Sequence, residues 1–228
     1  MENAKKLILD TLKTKACLKQ DVFKKTKKVF QDFKTEAEKL TGELKTEMDK
    51  VDKDVIVDFI DKSEYEFHIK FGGDILVFYM HTNIFDFEKS HSLWKTSYVK
   101  DDELRSYCGM INVYNFLADS FKYNRLNDVG YLVARLFLNK DLHYFVEGKR
   151  QLGFLYNDFV NETINTDKIR KIIESSILYS MDFDLLTPHY DTMKVVSVNE
   201  VNEVTSAMSI KTGKRLGFKF QADNDHIE

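Results

Sequence analysis

Apolar residues recur at helical spacing through the first fifty positions. Steps of three and four place them on one seam, with breaks at Lys19, Thr26 and Glu47: Leu9, Leu12, Ala16, Phe23, Phe30, Phe33, Ala37, Leu40 and Leu44. Such a seam is typical of a helix that packs against another surface. We predict either one long helix over 5–48 or a helical hairpin that restarts near Asp21, since Asp can cap a new helix. In both cases the seam has to be buried, within the same fold or against a second copy.

After Asp54 the hydrophobic period changes to two. The segments "DVIVDFI", "EYEFHIKF" and "DILVFYMHT" read as three neighbouring strands, and the middle one alternates strictly between apolar and polar residues. Gly72 and Gly73 separate the second and third strands and predict a tight hairpin turn, because both glycines can take positive φ. The third segment is apolar on both faces, which predicts a central strand.

The rest of the chain predicts a mixture of helices and strands. Asp101 and Asp102 can cap a helix over 103–121, in which apolar residues fall at helical spacing. Two strands, "GYLVARLFL" and "LHYFVEGKR", follow. Asn165 or Thr166 then caps the helix "DKIRKIIESSILYSM". The short segments "MKVVSV" and "LGFKF" complete the prediction as strands.

This order predicts an α+β fold. A long N-terminal helix or helical hairpin precedes an antiparallel sheet of about five to seven strands, with helices packed on one face, in the order α-βββ-α-ββ-α-β. We divide the chain into a coiled-coil-like segment over 1–52, an α+β domain over 53–220 and a disordered tail over 221–228. Over Lys5 to Met181 the order resembles that of the small type III secretion chaperones, and this resemblance implies protein binding and dimerisation.

Charge and cysteine content narrow the functional classes. The net charge of −3 argues against general affinity for nucleic acid, which depends on an excess of clustered cations. Cys17 and Cys108 fit no metal-ligand spacing, and reduced thiols are the default for a cytoplasmic protein. The start of the chain has only the short apolar run "LIL", and no stretch of about 18 apolar residues occurs. We therefore expect a cytoplasmic protein without a membrane span.

One three-residue pattern is compatible with catalysis. Glu147 and Lys149 lie on one face of a predicted strand, and Asp128 precedes the strand that pairs with it. The arrangement resembles the active site of PD-(D/E)-x-K nucleases, in which two carboxylates hold a divalent metal and the lysine helps to activate water. The alternative is an ordinary surface ladder in which Arg135 neutralises Glu147 across the strands.

A second pattern is a band of seven lysines between Lys13 and Lys28, which includes Lys24, Lys25, Lys27 and Lys28. Such a band can contact nucleic acid or another anionic surface. Because the band contains no Arg, a solvated helix face explains it more simply, and this argues against nucleic acid as a partner.

These observations favour a non-catalytic, cytoplasmic adaptor or chaperone-like protein. We expect it to form a homodimer or to dock a partner protein through the N-terminal helix, with no cofactor and no metal. The residues predicted at that interface are Leu9, Leu12, Phe23, Phe30, Phe33, Leu40 and Leu44. The alternatives are the nuclease with Asp128, Glu147 and Lys149, and a lysine-guided nucleic-acid binder.

Overall fold

The computed structural model describes residues 2–148, 151–185, 187, 189–199 and 201–202. Helical segments are α1 (Glu2–Thr11), a π-turn (Leu12–Ala16), α2 (Cys17–Met48), α3 (Ser97–Asp101), α4 (Ala118–Lys122), α5 (Gln151–Leu155), α6 (Thr166–Met181) and α7 (Tyr190–Met193), with 3₁₀ turns at Ser92–Lys95 and Glu103–Ser106. The strands are β1 (Val57–Ser63), β2 (Glu66–Phe71), β3 (Asp74–Met80), β4 (Cys108–Leu117), β5 (Tyr131–Asn139) and β6 (Tyr144–Gly148). The predicted α+β class, with a long N-terminal helix ahead of an antiparallel sheet, is confirmed.

The N-terminal helix is one rod rather than a hairpin. Helix α1, the π-turn and α2 follow one another without a break from Glu2 to Met48, which gives a length of about 70 Å at 1.5 Å per residue. The π-turn accommodates one extra residue and therefore rotates the rest of the helix by about 100°. The predicted seam consequently does not continue on one face through Leu12–Ala16.

All six strands form one antiparallel sheet in the order β1-β2-β3-β4-β5-β6. Phe71 pairs with Asp74, so Gly72 and Gly73 form a two-residue turn as predicted. Of the two glycines, Gly72 takes positive φ, at 55°. That conformation at the first turn position favours glycine and matches the twist of the flanking strands. Strand β3 is central, as its apolar composition predicts.

The helix predicted over 103–121 is wrong, because its larger part is strand β4. Asp102 does cap a helical turn, since its side chain accepts a hydrogen bond from the Leu104 amide, but that turn ends at Ser106. Strand β4 then pairs with both β3 and β5. A strand buried on both faces has apolar residues on both sides, and such a run also fits helical spacing.

Helices α2 and α6 cover the first face of the sheet and enclose the main core. Phe30 and Phe33 of α2 contact Phe67 of β2 and Phe78 of β3, with ring centroids 5.4 Å and 6.2 Å apart, respectively. Phe67 and Phe78 stack on each other at 4.6 Å. Each fully buried aromatic side chain contributes roughly 1.5–3 kcal/mol, so this group holds the rod to the sheet. The helical segment predicted as a separate unit thus shares its core with the sheet.

Helix α6 agrees with its sequence pattern. The Asn165 side chain caps it by accepting from the Lys168 amide at 2.9 Å, and its isoleucines point into the core. Ser176 and Ser180 are fully buried and donate to carbonyl groups of their own helix. Both hydroxyl groups therefore have hydrogen-bond partners although they are buried.

The second face of the sheet is covered at its two ends. The segment between β3 and β4 packs Leu93, Val99 and neighbouring aromatic rings over Phe137 and Phe145. At the other end Ala118, at the start of α4, lies against Ile75 and Val77. Between these two aromatic and aliphatic groups the middle of the face carries polar side chains.

Two further expectations concern the C-terminal part. The segment "MKVVSV" is not a strand, because it begins at the end of α7 and continues as irregular chain. It has no neighbouring strand among the residues described, and an isolated strand is marginal in water. The predicted strand "LGFKF" and the tail over 221–228 lie outside the described residues.

The contact between α2 and β4 gives a stability prediction. A Cβ built on Gly109 would lie 2.8 Å from the Cβ of Thr26, a fully buried residue on the sheet-facing side of α2. Gly109→Ala therefore forces the rod away from the sheet, and we expect it to lower the free energy of unfolding by about 1–3 kcal/mol in urea titrations.

Gly42 provides the control for this measurement. It is helical, and a Cβ there has no atom within 4 Å. We expect Gly42→Ala to stabilise the protein by about 0.5–1 kcal/mol, since alanine loses less backbone entropy than glycine in a helix. Equal effects of the two substitutions would contradict the close packing at Gly109.

Candidate functional site

The residues of the predicted nuclease pattern do not meet. Glu147 accepts hydrogen bonds from Nε of Arg135, at 2.9 Å, and from its Nη2. Asp128 is bound to Ser120 Oγ at 2.6 Å and lies 2.9 Å from Arg125 Nε. Asp128 precedes β5, whereas Glu147 lies opposite Arg135, four residues into that strand. These four residues span about 13 Å, which is too far for the two carboxylates to share one metal. Lys149 lies outside the described residues.

The four lysines singled out in the basic band have different environments. Lys25 donates to Asp21 at 2.7 Å and to the carbonyl of Lys140 at 2.6 Å, and Lys27 forms an ion pair with Glu64. Lys24 and Lys28 are exposed. Two of the four are thus used within the fold, so the band offers fewer free cations than the sequence suggests.

The residues predicted at the interface fall into two groups. Phe30, Phe33 and Leu40 are buried in the main core, and Phe23 packs partly against it. Their burial is therefore supplied by the same chain. Phe30→Asp would place a charge in that core, so it would test folding rather than association. The other three residues are exposed: Leu9, Leu12 and Leu44.

Exposed apolar residues lie near both ends of the rod. Near its start lies the N-terminal apolar cluster of Leu7, Ile8, Leu9 and Leu12, in which Leu7 is 68% exposed. Near its end lies the loop apolar cluster of Leu44, Val51, Val55 and Ile56, in which Val51 is 80% exposed. Exposed apolar residues grouped in this way along the chain are candidates for an interface.

Charge is divided along the rod. Residues 2–28 contain nine lysines and three acidic residues, whereas residues 29–56, which complete the rod and include the loop after it, contain five lysines and eight acidic residues. The N-terminal apolar cluster therefore lies among cations, and the loop apolar cluster lies among anions. The two ends of the rod are complementary in charge and alike in exposing apolar side chains.

A line of polar residues crosses the middle of the second face. Strand register places Glu66 opposite Tyr79, Tyr79 opposite Asn112, Asn112 opposite Arg135, and Arg135 opposite Glu147. Directly opposed residues in antiparallel strands have Cβ atoms about 4.5–5.5 Å apart, so the five side chains form one continuous row. We call it the transverse row. Sequence patterns did not reveal it, because its members are far apart along the chain.

Asn112 has an unusual environment within the transverse row. The residue is only 5% exposed, and its side-chain amide keeps contact with solvent instead of bonding to another described side chain. The Tyr79 hydroxyl and Nη1 of Arg135 likewise have no hydrogen-bond partner among the described residues. The centre of the row therefore presents three adjacent polar groups whose remaining hydrogen-bonding capacity is met by solvent.

One end of the transverse row contacts a buried histidine. Nε2 of His68 lies 2.6 Å from a carboxylate oxygen of Glu66, and the ring packs edge-on against Phe121 with centroids 5.1 Å apart. Burial lowers the pKa of His68 below its ordinary value of 6.5, although Glu66 acts in the opposite direction. The native state thus favours the neutral imidazole.

The lowered pKa of His68 makes the folded state less stable as the pH falls. The unfolded chain binds a proton at position 68 as the pH falls through 6.5, while the folded chain resists it, so the stabilisation is complete above that pH and is lost below it. We expect urea unfolding to show a steeper loss of stability on acidification for the natural chain than for His68→Gln, by up to about 1.4 kcal/mol per pH unit. Identical pH slopes for both proteins would rule out this contribution.

Comparisons with known proteins identify no relative. No family model, no curated protein and no solved structure matches this chain. Within the described part of the chain, no helix is long and apolar enough to cross a membrane. The same residues contain no group of three or more His, Cys, Asp or Glu side chains placed to hold a metal ion.

Proposed function

We propose that this chain is a binding protein of the adaptor type that associates with a second copy of itself through the N-terminal rod. The two rods lie antiparallel, so that the N-terminal apolar cluster of each copy covers the loop apolar cluster of the other. The observation that carries this proposal is the pairing of exposed apolar side chains with opposite charge at the two ends of one helix.

The N-terminal part of the rod has no surface of its own chain to pack against. Residues 3–17 are all exposed, and the first buried residue of the rod is Val22. Isolated helices of this length are marginal in water, since most helical stability in proteins comes from packing of an apolar face. A second molecule that covers Ile8 and Leu12 supplies that packing.

Charge selects the antiparallel arrangement. A parallel pair would place the lysine-rich halves side by side and would repel. An antiparallel two-fold pair instead places each lysine-rich half beside the acidic half of the partner, and the same contact occurs twice. A strip about 70 Å long and 10 Å wide covers roughly 700 Å² per copy, close to the roughly 800 Å² of a standard interface.

Substitutions on exposed apolar residues test the association. We expect the natural chain to sediment at about twice its mass of 26.8 kDa. Ile8→Asp combined with Leu12→Asp should weaken the dimer at least tenfold in sedimentation equilibrium, because two charges enter its apolar contact. Leu126→Asp is the matched control, since Leu126 is 84% exposed away from the rod and should leave the dimer intact.

A charge exchange within one chain tests the antiparallel arrangement. Lys5→Glu with Lys6→Glu should weaken the dimer, and adding Asp49→Lys with Asp52→Lys to the same chain should restore it. Cys17 is exposed, whereas Cys108 is buried and burial raises the pKa of its thiol, so a thiol-reactive spin label attaches selectively at Cys17. Antiparallel rods place two such labels about 30–35 Å apart. A monomer at low salt would overturn the proposal, as would oxidative Cys17–Cys17 cross-linking between parallel rods.

A further inference from the structure

The π-turn at Leu12–Ala16 changes which residues of the N-terminal rod lie above one another. The backbone amide of Cys17 donates to the carbonyl groups of Leu12 and Thr14. The bond to Leu12 reaches five residues back, whereas a regular α-helix would place the carbonyl of Lys13 beneath that amide. Residues before the π-turn are therefore shifted by one position relative to the turns of α2.

Packing within the described part of the chain does not account for this irregularity. None of the five residues of the π-turn is buried, and residues 3–17 are all exposed. The hydroxyl groups of Thr11 and Thr14 donate to carbonyl groups one turn earlier, at 2.9 Å and 2.8 Å, and such bonds often accompany a bent helix. Single π-turns inside helices are frequent at functional sites. The effect of this one is on the direction of the exposed side chains.

One side of α2 is exposed and polar. Its residues recur at steps of four and three, which places them above one another on the helix surface: Lys24, Lys28, Gln31, Thr35 and Glu38. The buried residues Val29, Phe33 and Ala37 point the other way, into the main core. We call the exposed set the outer stripe. Continued backwards with the same steps, it passes through Gln20 and Cys17, which are exposed as well.

The π-turn determines what the outer stripe contains before Cys17. In an unbroken α-helix the stripe would continue through Lys13 and Asp10, which are both charged. Because Leu12 lies beneath Cys17 instead, the stripe continues through Leu12 and Leu9. The shift by one residue thus turns Leu12 by about 100° from the side of the core to the outer side of the rod.

We propose that the π-turn sets the direction of the face through which the rod self-associates. It brings Leu9 and Leu12 into line with the outer stripe, where a second rod can contact them without meeting the sheet or α6 of the same chain. The stripe has Lys24 and Lys28 near its start and Glu38 near its end, so it carries the division of charge that favours an antiparallel second copy. This inference rests on the self-association proposed above and concerns how its face is formed.

Two changes of one uncharged residue at the π-turn test this role. Deleting Thr14 removes the extra residue, so the turn becomes α-helical while Leu9 and Leu12 keep their direction. Inserting one alanine after Thr14 rotates both side chains by about 100° towards the side of the core. In sedimentation equilibrium we expect the deletion to change the dissociation constant of the dimer by less than about threefold. The insertion should raise it by at least about tenfold, because the apolar contact is lost.

Folding of both variants is checked by near-ultraviolet circular dichroism, which reports the packing of the aromatic core. We expect the spectrum of the natural chain in both cases, since residues 3–17 are exposed. Equal dissociation constants for the two variants would overturn the role of the π-turn and leave the self-association standing. Loss of the dimer on deletion of Thr14 would overturn that role as well. A monomeric natural chain would overturn the self-association and this inference together.

Discussion

The packing of α2 on the sheet is the contact on which the rest of this structure depends. Phe30 and Phe33 fit against the stacked rings of Phe67 and Phe78, and the helix can approach because Gly109 has no side chain beneath Thr26. This contact fixes the direction of the whole rod. Since the sheet ends where it does, the helix continues past its support, and residues 3–17 are all exposed. The exposed cluster at Ile8 and Leu12 is thus a consequence of a helix longer than the sheet it packs on.

The sequence determined the strongly periodic elements well and the doubly buried one poorly. Strand β2 alternates because one of its faces is more polar, and α6 has both an Asn165 cap and a regular isoleucine stripe. Strand β4 has neither signal, because it lies between β3 and β5 with both faces covered. The apolar seam of α2 was correctly predicted to be buried, yet such a seam does not indicate which surface covers it. Whether a sheet or a second helix does so depends on residues distant in the chain.

The same limit applies to the candidate sites. The sequence shows that Glu147 and Asp128 are acids near two paired strands. It does not show the strand register or the bulge in β5, and these determine the distance between the two carboxylates. The transverse row is the opposite case. Glu66, Tyr79 and Asn112 share no local pattern along the sequence, and only the pairing of β2 with β3 and of β3 with β4 brings them into line. A site formed across strands leaves no local motif.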